Sequence, residues 1–243
     1  EADLVDALPA CGVRTADPGK VPQVRGRLTT GEAPPRSVRA KELNAIIKEM
    51  NSQKARKVLA EIKLETGKVD DAKPIVDGIL KENDKDLDGK YLKGRIALAE
   101  KRMDDAKALF GDVVKQDAGM ARARLYNGLT EIQQGQVEVG RKEIEEAVKL
   151  DPGNARAQLL LGEVSLRAGN PAAAEKAALE VLRRNPSNAL AAILLADSFL
   201  ARKEWKKGEQ IYQAMMKQLP KSPVGYLKMG LSRKLQGKPK DAA

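Results

Sequence analysis

An all-α fold of stacked helical hairpins, wound as an α-α superhelix, follows from three observations. The composition favours helix, a stop signal recurs every 34 residues, and two columns of small residues share that period. Of the 243 residues, 42% are hydrophobic and 32% charged, but only 3% are aromatic. Ala, Leu, Lys, Glu and Arg are strong helix formers, and aromatic or β-branched runs are too few for a large sheet.

The stop is a proline turn. Asp151-Pro152-Gly153-Asn154 returns as Asn185-Pro186-Ser187-Asn188 and, more loosely, as Leu219-Pro220-Lys221-Ser222. Taking the proline as position 32 sets units at 53–86, 87–120, 121–154, 155–188, 189–222 and a partial 223–243, about five and a half to six hairpins. Position 8 then reads Ala60, Gly94, Gly128, Gly162, Ala196, Gly230, and position 20 reads Ala72, Ala106, Gly140, Ala174, Gly208, Ala242. Two antiparallel helices approach closely only where neither presents bulk, so the two columns are expected to face each other. Position 24 supplies the matching bulk in Val76, Phe110, Ile144 and Tyr212, with Ala178 the exception.

Each turn has its own signals. Gly67, Gly135, Gly169 and Gly237 at position 15 suit a left-handed helix C-cap. Lys101 and Lys203 interrupt that column, and those turns are expected to close differently. Proline at position 32 ends the second helix by pushing its predecessor out of α geometry. Asn154, Asn188 and Ser222 at position 34 are then expected to cap the next helix. A hairpin of this kind cannot bury its apolar face alone and stacks on its neighbours.

Period, small residues at 8 and 20, bulk at 24, Ala147 at 27 and proline at 32 together resemble the tetratricopeptide repeat (TPR) family over residues 53–243. The units 155–188 and 189–222 match best. The resemblance implies a TPR solenoid whose first helices line an inner face that holds a partner protein or peptide. There are departures: position 7, usually leucine, is Lys93 and Asn127, preceded by apolar Leu92 and Tyr126. Those units are expected to sit slightly rotated or to leave a polar gap. The two-carboxylate clamp of some TPR proteins needs Lys and Asn on the inner face, but Glu61 and Leu92 stand there. A chaperone-tail co-chaperone is therefore not expected.

Upstream, residues 38–52 begin with "VRAKELNAIIKEM", whose Leu43, Ile46, Ile47 and Met50 fall at helical spacing and read as a half repeat capping the unit at Gln53. Residues 1–37, rich in proline and glycine, read as an irregular tether or cap. "LPACG" around Cys11 resembles a lipobox, but Glu1 to Ala7 contain three acids and no apolar leader, so Cys11 reads as an ordinary buried or tether cysteine. The unit at Pro223 breaks off just past position 20, so the parent protein is expected to continue.

Composition also bounds function. With no histidine, Ser-His-Asp and Cys-His nucleophile activation are absent. One cysteine adds no zinc set, so neither metal nor cofactor is expected and the chain reads as non-catalytic. No apolar run reaches the length of a membrane span.

The inner positions 2, 5, 6 and 9 supply the candidate partner groove: Tyr91, Leu92, Arg95, Arg122, Leu125, Tyr126, Leu129, Arg156, Leu159, Leu160, Glu163, Ile193 and Asp197. This surface would suit an amphipathic helix or extended peptide. Inter-repeat core accounts equally well for its aliphatic members, but not for the polar tips of Tyr91 and Tyr126. The charged members read as solvated.

A second candidate is basic. Of the net charge of +10, residues 202–243 carry +8, from 11 Lys or Arg against 3 acids. Lys203, Lys206, Lys207, Lys238 and Lys240 cluster near inter-helix turns and read first as a solubilising edge. The second reading is a dock for an acidic partner, an anionic polymer or a membrane. Nucleic acid is not expected, because a single aromatic, Trp205, stands close among these lysines.

The leading reading is a protein-interaction scaffold. A second reading is the regulatory or substrate-binding part of a larger enzyme. A third rests on similarity to bacterial TPR lipoproteins of exopolysaccharide and PEP-CTERM export systems, which implies membrane or polysaccharide machinery and favours the periplasm or cell envelope over the cytoplasm. Self-association is expected through the C-terminal end, where a first helix lacks its pair.

Overall fold

The structure, a computed structural model, describes residues 53–237. The tether, the half repeat at 38–52, Cys11, Lys238, Lys240 and Ala242 lie outside the described residues. Eleven helices run through them: α1 (Gln53–Glu65), α2 (Val69–Glu82), α3 (Leu87–Ala99), α4 (Met103–Gln116), α5 (Ala121–Gln133), α6 (Val137–Leu150), α7 (Ala155–Arg167), α8 (Pro171–Arg184), α9 (Ala189–Ala201), α10 (Trp205–Gln218) and α11 (Pro223–Leu235). Odd-numbered helices open a repeat and even-numbered helices close it. Two compact units divide between Thr130 and Glu131, inside α5. In the N-terminal unit α1 packs on α2 and α3, and α3 on α4. In the C-terminal unit α7 packs on α6, α8 and α9, while α10 packs on α9 and α11.

The small columns meet as the sequence predicts. A Cβ added to Gly162 would lie 3.5 Å from the carbonyl oxygen of Ala174, and one on Gly208 would lie 3.1 Å from that of Ala196. At Gly94 the added atom would come within 2.7 Å of the Phe110 ring, so the bulk at position 24 fills the space the small residue leaves. The exception, Ala178, also has its reason. Leu194 of the following repeat reaches to within 2.5 Å of where a Gly162 Cβ would sit, and clusters with Ala174, Ala178 and Phe199.

A third small column went unread in the sequence. Position 3 holds Ala55, Gly89, Ala123, Ala157, Ala191 and Gly225, and all six are buried. Gly89 and Gly225 lie against the preceding second helix, at Ile79 and Leu80 and at Met216 and the Tyr212 carbonyl. Positions 8 and 20 close the hairpin, and position 3 seats one hairpin on the last.

The lysine turns do not close differently. Lys101 (φ 63°) and Lys203 (φ 62°) adopt the left-handed conformation of Gly67, Gly135, Gly169 and Gly237. They keep the same bonds: Arg102 N donates to Ala97 O at 2.9 Å, as Gln136 N donates to Glu131 O at 2.8 Å. Packing of the two helices imposes the turn, and the lysine Cβ carries a steric cost of about 1–2 kcal/mol. Lys101→Gly and Lys203→Gly are each expected to stabilise the chain by about 0.5–1 kcal/mol, after the extra backbone entropy of glycine. An unchanged or lower urea midpoint would show the strain to be absent.

The proline is likewise not what ends the second helices. Asp151, Asn185 and Leu219, before Pro152, Pro186 and Pro220, have φ between −127° and −137°, and Asn83 (−148°) and Asp117 (−135°) leave the helix similarly with no proline after them. Asn154 and Asn188 cap as expected, accepting from Ala157 N at 3.1 Å and Ala191 N at 3.0 Å. Asp86 does the same for α3 at 2.8 Å. Ser222 makes no side-chain cap bond. At position 7, Lys93 is exposed while its neighbour Leu92 is 2% exposed, which fills the core of that repeat, whereas Asn127 is itself buried.

Candidate partner-binding face

In the N-terminal unit the first helices carry their own ions. Glu61 on α1 accepts hydrogen bonds from Tyr91 Oη at 3.2 Å and Arg95 Nη1 at 3.1 Å, with Arg122 at 3.6 Å. Arg122 also pairs closely with Asp88, and Lys57 bridges Asp86 at 2.6 Å and Asp88 at 3.1 Å. The Arg95 guanidinium lies 4.8 Å from the Tyr126 ring centre, and that of Arg122 lies 4.9 Å from the Tyr91 ring centre. Both are within cation–π range. Tyr91, Phe110 and Tyr126 form a ring cluster with centroids 5.7–6.2 Å apart.

This arrangement changes the reading of several candidates. Tyr91 and Tyr126 are 2% and 6% exposed, so their tips serve the interior rather than an incoming peptide. Burial pushes the Tyr91 phenol well above its ordinary range, partly opposed by Arg95. Arg95, read as solvated, is 8% exposed; burial alone would lower its pKa, but Tyr91, Tyr126 and Glu61 together raise it and keep it charged. Leu92 and Leu125 are core, and Leu129 is half-buried against it. Glu61, Lys57 and Asp88 were missed as members. Their signal was opposite charge in one column of adjacent repeats: Glu61 and Arg95 at position 9, Asp88 and Arg122 at position 2.

Beside this network Arg56 and Gln53 hold Glu82, at 2.5–2.9 Å. The Arg56 hydrogen bond, then that of Gln53, lowers the Glu82 pKa from 4.5 to about 2. A carboxyl depressed in the fold stabilises above its ordinary pKa and loses that contribution as pH falls through the depressed value. NMR titration of Glu82 is expected to give a midpoint of about 2, and Arg56→Gln should return it towards 4.5; an unchanged midpoint would sink the assignment.

The C-terminal unit presents a different face. Arg156, Glu163 and Arg167 on α7 are exposed, Leu159 and Leu160 are half-buried, and Leu190 on α9 is 64% exposed beside half-buried Ile193. Asp197 accepts from Lys228 Nζ at 2.6 Å and from the Tyr212 hydroxyl, tying α9 to α11 and α10. Burial, then that bond to Asp197, raises the Tyr212 pKa. Of the basic edge, Lys203 and Lys206 are exposed, whereas Lys207 pairs with Glu204 at 2.7 Å.

A tetratricopeptide repeat family profile matches residues 58–121, 125–181 and 165–223. The chain belongs to the tetratricopeptide repeat family. Its fold is similar to that of a tetratricopeptide repeat protein from Parabacteroides merdae (TM-score 0.64, 13% identity, covering 84% of this chain and 76% of that one). It is equally similar to PilF of Pseudomonas aeruginosa (TM-score 0.64, 21% identity, 84% and 88%). MamA from Desulfovibrio magneticus aligns over 65% of this chain and 89% of its own (TM-score 0.58, 16% identity). No curated protein sequence matches the chain. Tetratricopeptide repeats as a class are interaction scaffolds, and these likenesses establish the fold.

Proposed function

We propose that this TPR protein is a non-catalytic scaffold that binds a partner peptide or helix on the first-helix face of its C-terminal unit. The observation that carries the reading is the contrast between the two units. The inner positions of α1, α3 and α5 are spent on Glu61, Asp88, Arg95, Arg122 and the buried tyrosines. On α7 and α9 the same positions include exposed Glu163 and Leu190 around half-buried Leu159 and Ile193, with Asp197 alone tied to Lys228 and Tyr212. A mixed surface of aliphatic patches rimmed by charge suits an amphipathic ligand.

Photo-crosslinking residues introduced at Glu163 and Leu190, with controls at Lys149 and Lys176 on the second helices, test this. Adducts to one protein are expected from the first pair alone. Equal adducts from the second-helix controls, or none from Glu163 and Leu190, would remove the proposal.

A further inference from the structure

Three leucines stand exposed in a row at one end of the C-terminal unit. Chain direction alternates through the packed helices, so the C-termini of α6, α8 and α10 and the N-termini of α7, α9 and α11 share that end. Leu150 (47% exposed) closes α6, Leu190 (64%) lies in the first turn of α9, and Leu219 (51%) follows α10. The equivalent turns of the N-terminal unit, at 82–88 and 116–121, expose no large apolar residue and carry Glu82, Asp84, Asp86, Asp88 and Asp117. The exposure belongs to the positions themselves. Position 31, where Leu219 stands, is exposed in every described repeat from Asn83 to Asn185, and Leu190 is exposed although α7, α8 and α10 pack around α9.

Unpaired positive charge accompanies the leucines. Lys217 and Lys221 flank Leu219, are exposed, and make no ion pair or side-chain hydrogen bond among the described residues. No acid occurs between Gln210 and Gly237. Elsewhere in the row the bases are spent: Arg183 and Arg184 hold Glu180 at 2.9 and 3.1 Å, and Lys149 holds Glu146 at 2.6 Å. Asp151 is the one acid in the turns 151–154, 185–188 and 219–222, and the Arg184 guanidinium reaches across to Gly153 near it. The leucines stand on separate turns and form no groove for a peptide, whereas a flat, fluid surface meets all three together. Apolar tips buried at headgroup depth, with lysines among anionic headgroups, are the two signals that hold a peripheral protein on a bilayer. We infer that this end of the C-terminal unit rests on an anionic lipid surface, with Leu150, Leu190 and Leu219 entering it and Lys217 and Lys221 meeting its headgroups. Leu150, Leu219, Lys217 and Lys221 lie off the first-helix face, so failure at either surface leaves the other reading untouched.

The test is flotation of the full 243-residue chain with vesicles of phosphatidylcholine, alone or mixed with phosphatidylglycerol. Binding is expected to be roughly tenfold stronger to the anionic vesicles at low salt, with the preference shrinking at high salt. Lys217→Glu with Lys221→Glu should erase that preference. Leu150→Ser with Leu219→Ser should weaken binding by roughly tenfold as well. Both pairs should leave the thermal melt unchanged, since all four side chains are exposed. The opposite end of the hairpins supplies a control. Lys203 and Lys206 are exposed and unpaired there, and the exposed apolar residues of that end, Val137 and Val139, lie two hairpins away on α6. Lys203→Glu with Lys206→Glu should therefore cost far less binding than the Lys217 and Lys221 pair. Equal binding to the two kinds of vesicle, an equal loss from the two lysine pairs, or no effect of the serine pair would overturn the inference. So would binding lost in Leu231→Ser, which would move the contact to α11. Protein adducts from a photo-crosslinker at Leu219, with no vesicle binding, would overturn it in favour of a protein partner.

Discussion

Phe110→Ala is expected to destabilise the N-terminal unit by about 3–5 kcal/mol, the usual cost of emptying a fully buried phenylalanine site. The ring is 0% exposed, abuts Gly94, and stands 6.2 Å from Tyr91 and 5.7 Å from Tyr126. Neither neighbour can close the gap easily, because Tyr91 is held through its hydroxyl to Glu61 and Tyr126 lies under Arg95. In a repeat array each hairpin touches only its neighbours, so damage should be local. Urea unfolding by circular dichroism gives the magnitude, and hydrogen exchange should show protection falling most in α3 and α4. A loss below about 1 kcal/mol would mean that the site collapses freely and that the close approach at Gly94 is not what positions the helices.

Glu61→Ala should be nearly as damaging, at about 2–3 kcal/mol. Removing one partner of a buried pair costs roughly 3–5 kcal/mol because the other charge is stranded. Arg95 is the stranded charge here, at 8% exposure, and the figure is reduced because the Glu61 side chain itself is 30% exposed. Glu61→Gln, which keeps the shape but not the charge, should fall between. Glu61→Leu combined with Arg95→Met should recover most of the loss, since a well-packed apolar pair replaces a buried ionic one at little net cost. Wild-type stability in Glu61→Ala would show the pair to be ornamental.

The hairpins were legible because their signals are periodic: a column repeated in every unit separates from noise even when each residue alone says little. Position 3 escaped notice for a physical reason. Alanine there looks like any helix former, and only the approach of the preceding second helix reveals that a larger side chain would not fit. The turns at Lys101 and Lys203 were misread because local propensity was asked to decide a conformation that the packed helices impose. On the candidate face, Tyr91 and Tyr126 occupy ligand-facing positions by register, yet their neighbours Glu61, Arg95 and Phe110 turn them inward. That outcome depends on three helices at once and no single column records it. The exposed character of Leu190 was equally hidden, because leucine at an inner position reads the same whether a neighbour covers it or not.

The pairing of like positions across adjacent repeats bears on how such an array can evolve. Excising residues 87–120 would preserve the helical phase, yet it would bring Lys54 opposite Arg122 and Glu61 opposite Leu129, while Tyr126 would lose both ring partners. Each hairpin therefore carries an address written in charge. Duplication or loss of a unit, the usual currency of change in tandem arrays, is penalised in the first half of this chain unless the flanking letters are rewritten along with it.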